Sequence, residues 1–250
     1  MAESVIHFAN GGLKVPLPLS LYIHLPWCVK KCPYCDFNSH AAQGIPEAAY
    51  IDALLLDLER ALPDIWGRRI QTVFFGGGTP SLFSAAGIDR ILTGVRALTQ
   101  LLPGAEITLE ANPGTVEAAR FKGFREAGVT RVSLGIQSFN PRQLQALGRI
   151  HEDSEARRAA EFAATHFDTF NLDLMFALPG QTLAEALNDI DIALTFQPPH
   201  LSVYHLTLEP NTPFGHTAPP NLPDDDLAAD MQQAIEARLM SAGMQHYKTS

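Results

Sequence analysis

The chain is poor in cysteine: among 250 residues the only thiols are Cys28, Cys32 and Cys35. So small an odd number excludes the disulfide framework of a compact secreted scaffold. Cationic side chains are also scarce, 18 Lys plus Arg against 27 Asp plus Glu, and the formal net charge is −9. A field of that sign repels phosphate backbones and anionic membranes, so nucleic acid is not an expected partner. The basic pairs Lys30-Lys31 and Arg157-Arg158 are too short to reverse this locally. No segment approaches the ~20 apolar residues of a membrane span. The N-terminus "MAESVIHFANGGLKVPLPLS" lacks the basic start and apolar run of a secretory leader. Low-complexity tracts and solenoid repeats are missing too. The expectation from these absences is a cytoplasmic chain with no membrane span.

What is present is the composition of a globular protein, 46% hydrophobic and 18% charged, long enough to bury a substantial core. Six short apolar runs rich in β-branched or aromatic residues read as strands buried on both faces: "LYIHL" from Leu21, "IQTVFF" from Ile70, "EITLE" from Glu106, "TRVSLGI" from Thr130, "TFNLDLMF" from Thr169 and "LSVYHLTL" from Leu201. Helical segments separate them. Pro46 opens one that runs to about Leu62, and Asn140-Pro141 opens another that Gly148 stops. Thr115 caps a helix closed near Gly128, Thr182 and Glu185 form a capping box, and a last helix runs from about Asp224 to Ala242.

Alternating β and α elements imply an α/β fold with parallel strands and right-handed crossovers. Six units are too few for a full eight-unit barrel, which leaves a partial barrel or an open doubly wound sheet. In both, chemistry gathers at the C-terminal ends of the strands. The motifs "PWC", "GGGTP", "EANPG" and "GIQSFN" follow the first four strands and fall there.

The three thiols lie within "YIHLPWCVKKCPYC", directly after the first strand. A structural zinc would need a fourth ligand from His24, Asp36 or His40, and that zinc-stabilised binding module is one reading. A CxxC redox pair is another, but it leaves Cys28 without work. Three thiolates with no evident fourth suit a [4Fe-4S] cluster whose remaining iron is open to a non-protein ligand. At the mouth of the sheet, Glu110 is a carboxylate placed to accept from a ribose or ammonium group.

The pattern CxxxCxxC with Tyr34 before the last cysteine resembles the radical S-adenosylmethionine (SAM) superfamily. With "FFGGGTPSLF", "EANPG", "RVSLGIQSFN", "LGRIH" and "NLDLMFALPGQT", it is similar to the branch holding oxygen-independent coproporphyrinogen III oxidases and haem chaperones, from about Tyr22 to Leu208. The resemblance implies a partial (β/α)6 barrel, parallel strands inside and helices outside. It also implies a cluster on Cys28, Cys32 and Cys35, with SAM on its open iron. Gly77, Gly78 and Thr79 match the contact to the SAM amino group, and Tyr22, Glu110, Gln137, Arg149 and Asp173 match further cofactor-contacting positions. In the oxidases a further cysteine stands two positions after the third; here that position is Phe37. This favours a haem chaperone, with haem or a porphyrin as cargo, an acceptor protein for it and an electron donor for the cluster. Decarboxylation of two porphyrinogen propionates to vinyls is the alternative. No catalytic side chain and no haem ligand are assigned. The family's length implies a division into an extension over 1–20, a core over 21–243, and the start of a further C-terminal domain at 244–250.

Overall fold

The structure, a computed structural model, describes residues 18–65, 67–114 and 120–248. Its centre is a six-stranded sheet: β1 (Leu19–Leu25), β4 (Arg69–Gly77), β5 (Gln100–Ala111), β6 (Arg131–Gln137), β7 (Thr169–Phe176) and β8 (His200–His205). They lie in that order and every neighbouring pair is parallel. The order never reverses, whereas a doubly wound sheet requires a reversal at its switch point. Among the described residues β1 and β8 are not paired with each other, so the strands form a partial barrel with an open side. Two short strands, β2 (Trp27–Cys28) and β3 (His40–Ala41), bracket the cysteine loop.

All six runs read as strands are strands, with shifted ends. The third begins earlier, at Gln100, and the sixth stops at His205 instead of continuing to Leu208. Their two faces differ. On β6, Val132, Leu134 and Ile136 are fully buried against the helical layer. The alternate positions form a polar row: Ser133 donates to Asp173 at 3.0 Å, and Asn171 donates to Ser133 at 2.7 Å and to Asp173 at 2.8 Å. The register pairs Ser133 with Asn171, Gly135 with Asp173, and Asp173 with Ser202, which stacks this row along the lumen. The core is therefore the layer between sheet and helices, where Phe75, Phe83, Phe121 and Phe124 are fully enclosed. Each contributes ~1.5–3 kcal/mol by leaving water.

The helix after β3 spans Glu47–Ile65, starting one residue past Pro46 and running through Pro63. Thr182 and Glu185 form the expected capping box of Leu183–Thr195, and Asp224 caps Asp225–Ser241. Asn140 caps the short helix Pro141–Ala146, and Gly148 follows at φ +66°. Two crossover helices were not picked out of the sequence: Ala85–Leu98, capped by Ser84, and Asp153–His166, opened by a capping box between Glu152 and Glu155. The helix ending before Gly128 covers Phe121–Ala127, and Thr115 lies outside the described residues. No helix among the described residues is long and apolar enough to cross a membrane.

Candidate functional site

The cysteine loop leaves the C-terminal end of β1 and is tied down at both ends. Ala42 donates to Cys28 O at 3.1 Å and His40 to Pro26 O at 2.7 Å, closing β2 on β3. Between them, the Lys31 ammonium donates to the carbonyls of Phe37 at 2.8 Å and Ser39 at 3.2 Å. Cys35 N–H closes a turn on Cys32 O at 3.2 Å. All three thiols are free, Cys28 buried and the other two partly so. Phe214 N–H donates to Pro33 O at 3.0 Å, and Tyr34 packs with Phe214 and Leu222 against Leu147, Met175, Leu178 and Leu206. Among the described residues no three His, Cys, Asp or Glu side chains converge as a single ion would require.

The glycine turn after β4 is shaped by this loop. Gly77 has φ +117°, and a Cβ there would meet the His24 ring at 2.6 Å; one on Gly78 would meet Trp27 O at 2.5 Å. These glycines admit protein atoms, so close packing of turn against loop already accounts for them. His24, a candidate zinc ligand on sequence, instead bonds Tyr22 Oη at 3.0 Å through Nδ1 and Asn38 O at 2.8 Å through Nε2. His205 meets the Phe176 ring edge-on, and His40 is exposed.

A cleft of about 210 Å³ opens here, lined by Tyr22, His24, Phe37, Asn38, Gly77 and Glu110. Glu110 is pushed up to about 7, by burial first and then by the charge of Asp173, against a backbone hydrogen bond from Gly77. Burial raises Asp173 as well, opposed by its bonds from Ser133, Asn171 and Ser202. Two acidic groups at one mouth are thus primed to meet a cation.

Next to them, Thr79, Asn112 and Arg149 form a chain. Asn112 Nδ2 donates to Thr79 Oγ1 at 3.0 Å; Arg149 Nη2 donates to Asn112 Oδ1 and to Gly135 O, each at 2.6 Å; Arg149 Nη1 donates to Cys32 Sγ at 3.5 Å. Gly135 leaves the room for this: a Cβ there would crowd Gln137 Nε2 at 3.1 Å, Arg149 Nη2 at 3.3 Å and Asn112 Oδ1 at 3.3 Å. Gln137 itself holds a left-handed φ of 67°. The structure thus gathers Tyr22, Gly77 and Glu110 around the cleft, with Asp173 charge-coupled to Glu110, and Thr79, Gln137, Arg149 and Cys32 around Asn112 and Gly135. Asn112 lies in "EANPG" and Gly135 in "GIQSFN", but neither residue type announces a role in the sequence without its neighbours in space.

Six sequential parallel strands with three free thiols on the loop after the first define the class: a barrel-type core built around one sulfur-rich loop. A model of the Radical SAM superfamily matches residues 22–193, and the chain belongs to that family. It is 54% identical over 240 residues to the heme chaperone HemW of Escherichia coli (strain K12), covering 95% of this chain and 63% of that protein. HemW of Haemophilus influenzae is 54% identical over 243 residues, with the same two shares. Among solved structures, coproporphyrinogen III oxidase (HemN) from Escherichia coli matches with a TM-score of 0.82 and 29% identity, covering 91% of this chain and 54% of that one. The chain therefore spans about 63% of the length of these HemW relatives.

Proposed function

We propose that this chain is the cluster- and SAM-binding core of a cytoplasmic haem chaperone, and that it does not perform coproporphyrinogen decarboxylation. The observation that carries the reading is the loop itself: three free thiols held by backbone and lysine bonds, followed by Phe37, 60% exposed, where the oxidases carry a further cysteine. The names of the HemW relatives support haem as cargo.

The donor set fits the family's cofactor. Cys28, Cys32 and Cys35 would hold a [4Fe-4S] cluster, which when bound supplies one electron and an open iron for SAM. Glu110 and Asp173 would accept from the cofactor's ammonium and ribose hydroxyls, Gln137 would orient it, and Arg149 would meet its carboxylate. Tyr22 would contact it from beside Glu110 in the same cleft, and Gly77, Gly78 and Thr79 match the contact to its amino group. Haem would be passed to an acceptor protein, and an electron donor would serve the cluster.

The test is anaerobic reconstitution with iron and sulfide, followed by haem titration and by incubation with reductant, SAM and coproporphyrinogen III. The expected result is four irons lost on replacing any one cysteine by Ala, a haem spectrum that saturates, and no vinyl product. Stoichiometric vinyl product over several turnovers would establish the oxidase reading instead, and stoichiometric zinc in anaerobically purified protein the structural-metal one.

A further inference from the structure

The chain Thr79–Asn112–Arg149–Cys32 does something that cofactor contact alone does not require. One arm of the Arg149 fork is committed to Asn112 and to the carbonyl of Gly135, so the guanidinium is fixed before any ligand arrives. The other arm points at Cys32 Sγ. We propose that Asn112 and Arg149 act together as an electrostatic setting for the iron-sulfur cluster, Asn112 as a positioning residue and Arg149 as the fixed positive charge that raises its reduction potential. This rests on the cluster assignment made above and adds to it a role for two residues on neighbouring elements.

A four-iron cluster held by three thiolates carries net negative charge, and gaining one electron from an external reductant adds a further unit. A guanidinium donating to a ligand sulfur stabilises the more negative, reduced form, so the potential rises. A second observation removes the neighbouring histidine as a competing cation. His151, 5% exposed, is pushed down to about 4, by burial first and then by the guanidinium, and it bonds Ile136 O at 3.2 Å. At neutral pH it is uncharged and adds nothing to the field. Gly135 is part of the same arrangement, since any Cβ there would press on the Asn112 and Arg149 contacts together.

The experiment is an EPR-monitored redox titration of the reconstituted chain in the absence of SAM, comparing wild type with Arg149→Met, Arg149→Lys and Asn112→Ala. Arg149→Met should lower the equilibrium constant for one-electron reduction at least tenfold, ~59 mV for one electron. Arg149→Lys, which keeps the charge and loses the fork, should fall between wild type and Met. Asn112→Ala, which keeps the charge and loosens its position, should shift in the same direction by less. Unchanged potentials in Arg149→Lys and Asn112→Ala together with an unchanged Arg149→Met, all with full iron content, would overturn the inference and leave the cluster assignment standing. A wild-type chain that takes up no four-iron cluster would overturn both. If Arg149→Met fails to assemble a cluster, the Lys and Ala variants decide: a lowered potential in either supports the inference, and wild-type potentials in both reject it.

Discussion

A Cβ on Gly78 would stand 2.5 Å from the carbonyl oxygen of Trp27 and 2.8 Å from the carbonyl carbon of Pro26. Gly78 N–H also bonds Leu25 O at 2.9 Å, and Thr79 N–H bonds Trp27 O at 2.7 Å. Turn and cysteine loop are therefore one packed unit, and the obstacle is backbone, which cannot swing aside. Gly78→Ala is expected to destabilise the metal-free chain by ~1–3 kcal/mol in urea unfolding. Gly44→Ala is the control: nothing lies within 4 Å of its added carbon, and it should stay within ~0.5 kcal/mol of wild type. Equal effects from the two would refute the packing account.

Glu110 makes stability depend on pH in a direction that can be worked out. Its folded value of about 7 lies above the ordinary 4.5, chiefly through burial and then through Asp173. Between those two values the folded state binds more protons than the unfolded one, so stability falls as pH rises through this window. Above pH 7 the full penalty, on the order of 3 kcal/mol, is present. Glu110→Gln should therefore be more stable than wild type at pH 8 in the cofactor-free chain, and the gap should close by about pH 4.5. A gap independent of pH would show that ionisation is not its cause. The same linkage means that a bound cation restores the carboxylate, so SAM binding should release protons near pH 7.

Asp189, 2% exposed on the helix Leu183–Thr195, accepts from Ser138 Oγ at 2.6 Å and from Phe139 N–H at 2.8 Å. Both donors follow directly on Gln137 and its left-handed backbone. Asp189→Ala leaves two buried donors unpaired and should cost ~2–4 kcal/mol. Because the loop it holds carries Gln137, SAM affinity of the still-folded fraction should fall too, measured by equilibrium dialysis at a temperature where the variant is native. Wild-type affinity in a destabilised variant would confine Asp189 to a structural role.

How far the sequence spoke for itself follows from the range of the interactions involved. Strands such as Thr169–Phe176 were legible because burial on both faces leaves a short, nearly continuous apolar and aromatic run. So were the Thr182 and Glu185 box and the helix start at Asp224, where the bonds join residues three apart. The helix Asp153–His166 was not, because its cap is a glutamate, Glu152, and its buried face is alanine, Ala156, Ala159, Ala160 and Ala163, too small to stand out as an apolar stripe. At the site, the cysteines and the glycine turn could be read as motifs. The reason for Gly77 and Gly78 could not, since His24 and Trp27 lie some fifty positions away in the chain and only the fold brings them in. Asn112 was unreadable on the same ground: its partners come from the β4 turn and from the segment after Pro141–Ala146.

Lys31 yields the last prediction, because it lies inside the cysteine loop yet is no ligand. Its ammonium reaches forward to Phe37 O at 2.8 Å and Ser39 O at 3.2 Å, bracing the stretch that returns to β3. A charged donor shared by two carbonyls is worth ~1.5–3 kcal/mol where it is sheltered, and less where water competes, as it does at Phe37. Lys31→Ala should therefore leave global unfolding almost unchanged while opening the loop locally. Amide exchange at His40 and Ala42, whose N–H groups bond Pro26 O and Cys28 O, should accelerate about tenfold, the factor for ~1.4 kcal/mol. Lys31→Arg restores a donor and should recover most of the protection. With a cluster bound the cysteines supply their own constraint, so the difference between Lys31→Ala and wild type should shrink on reconstitution. Acceleration of the same size in both forms would mean that the loop is held by Lys31 and not by the thiolates.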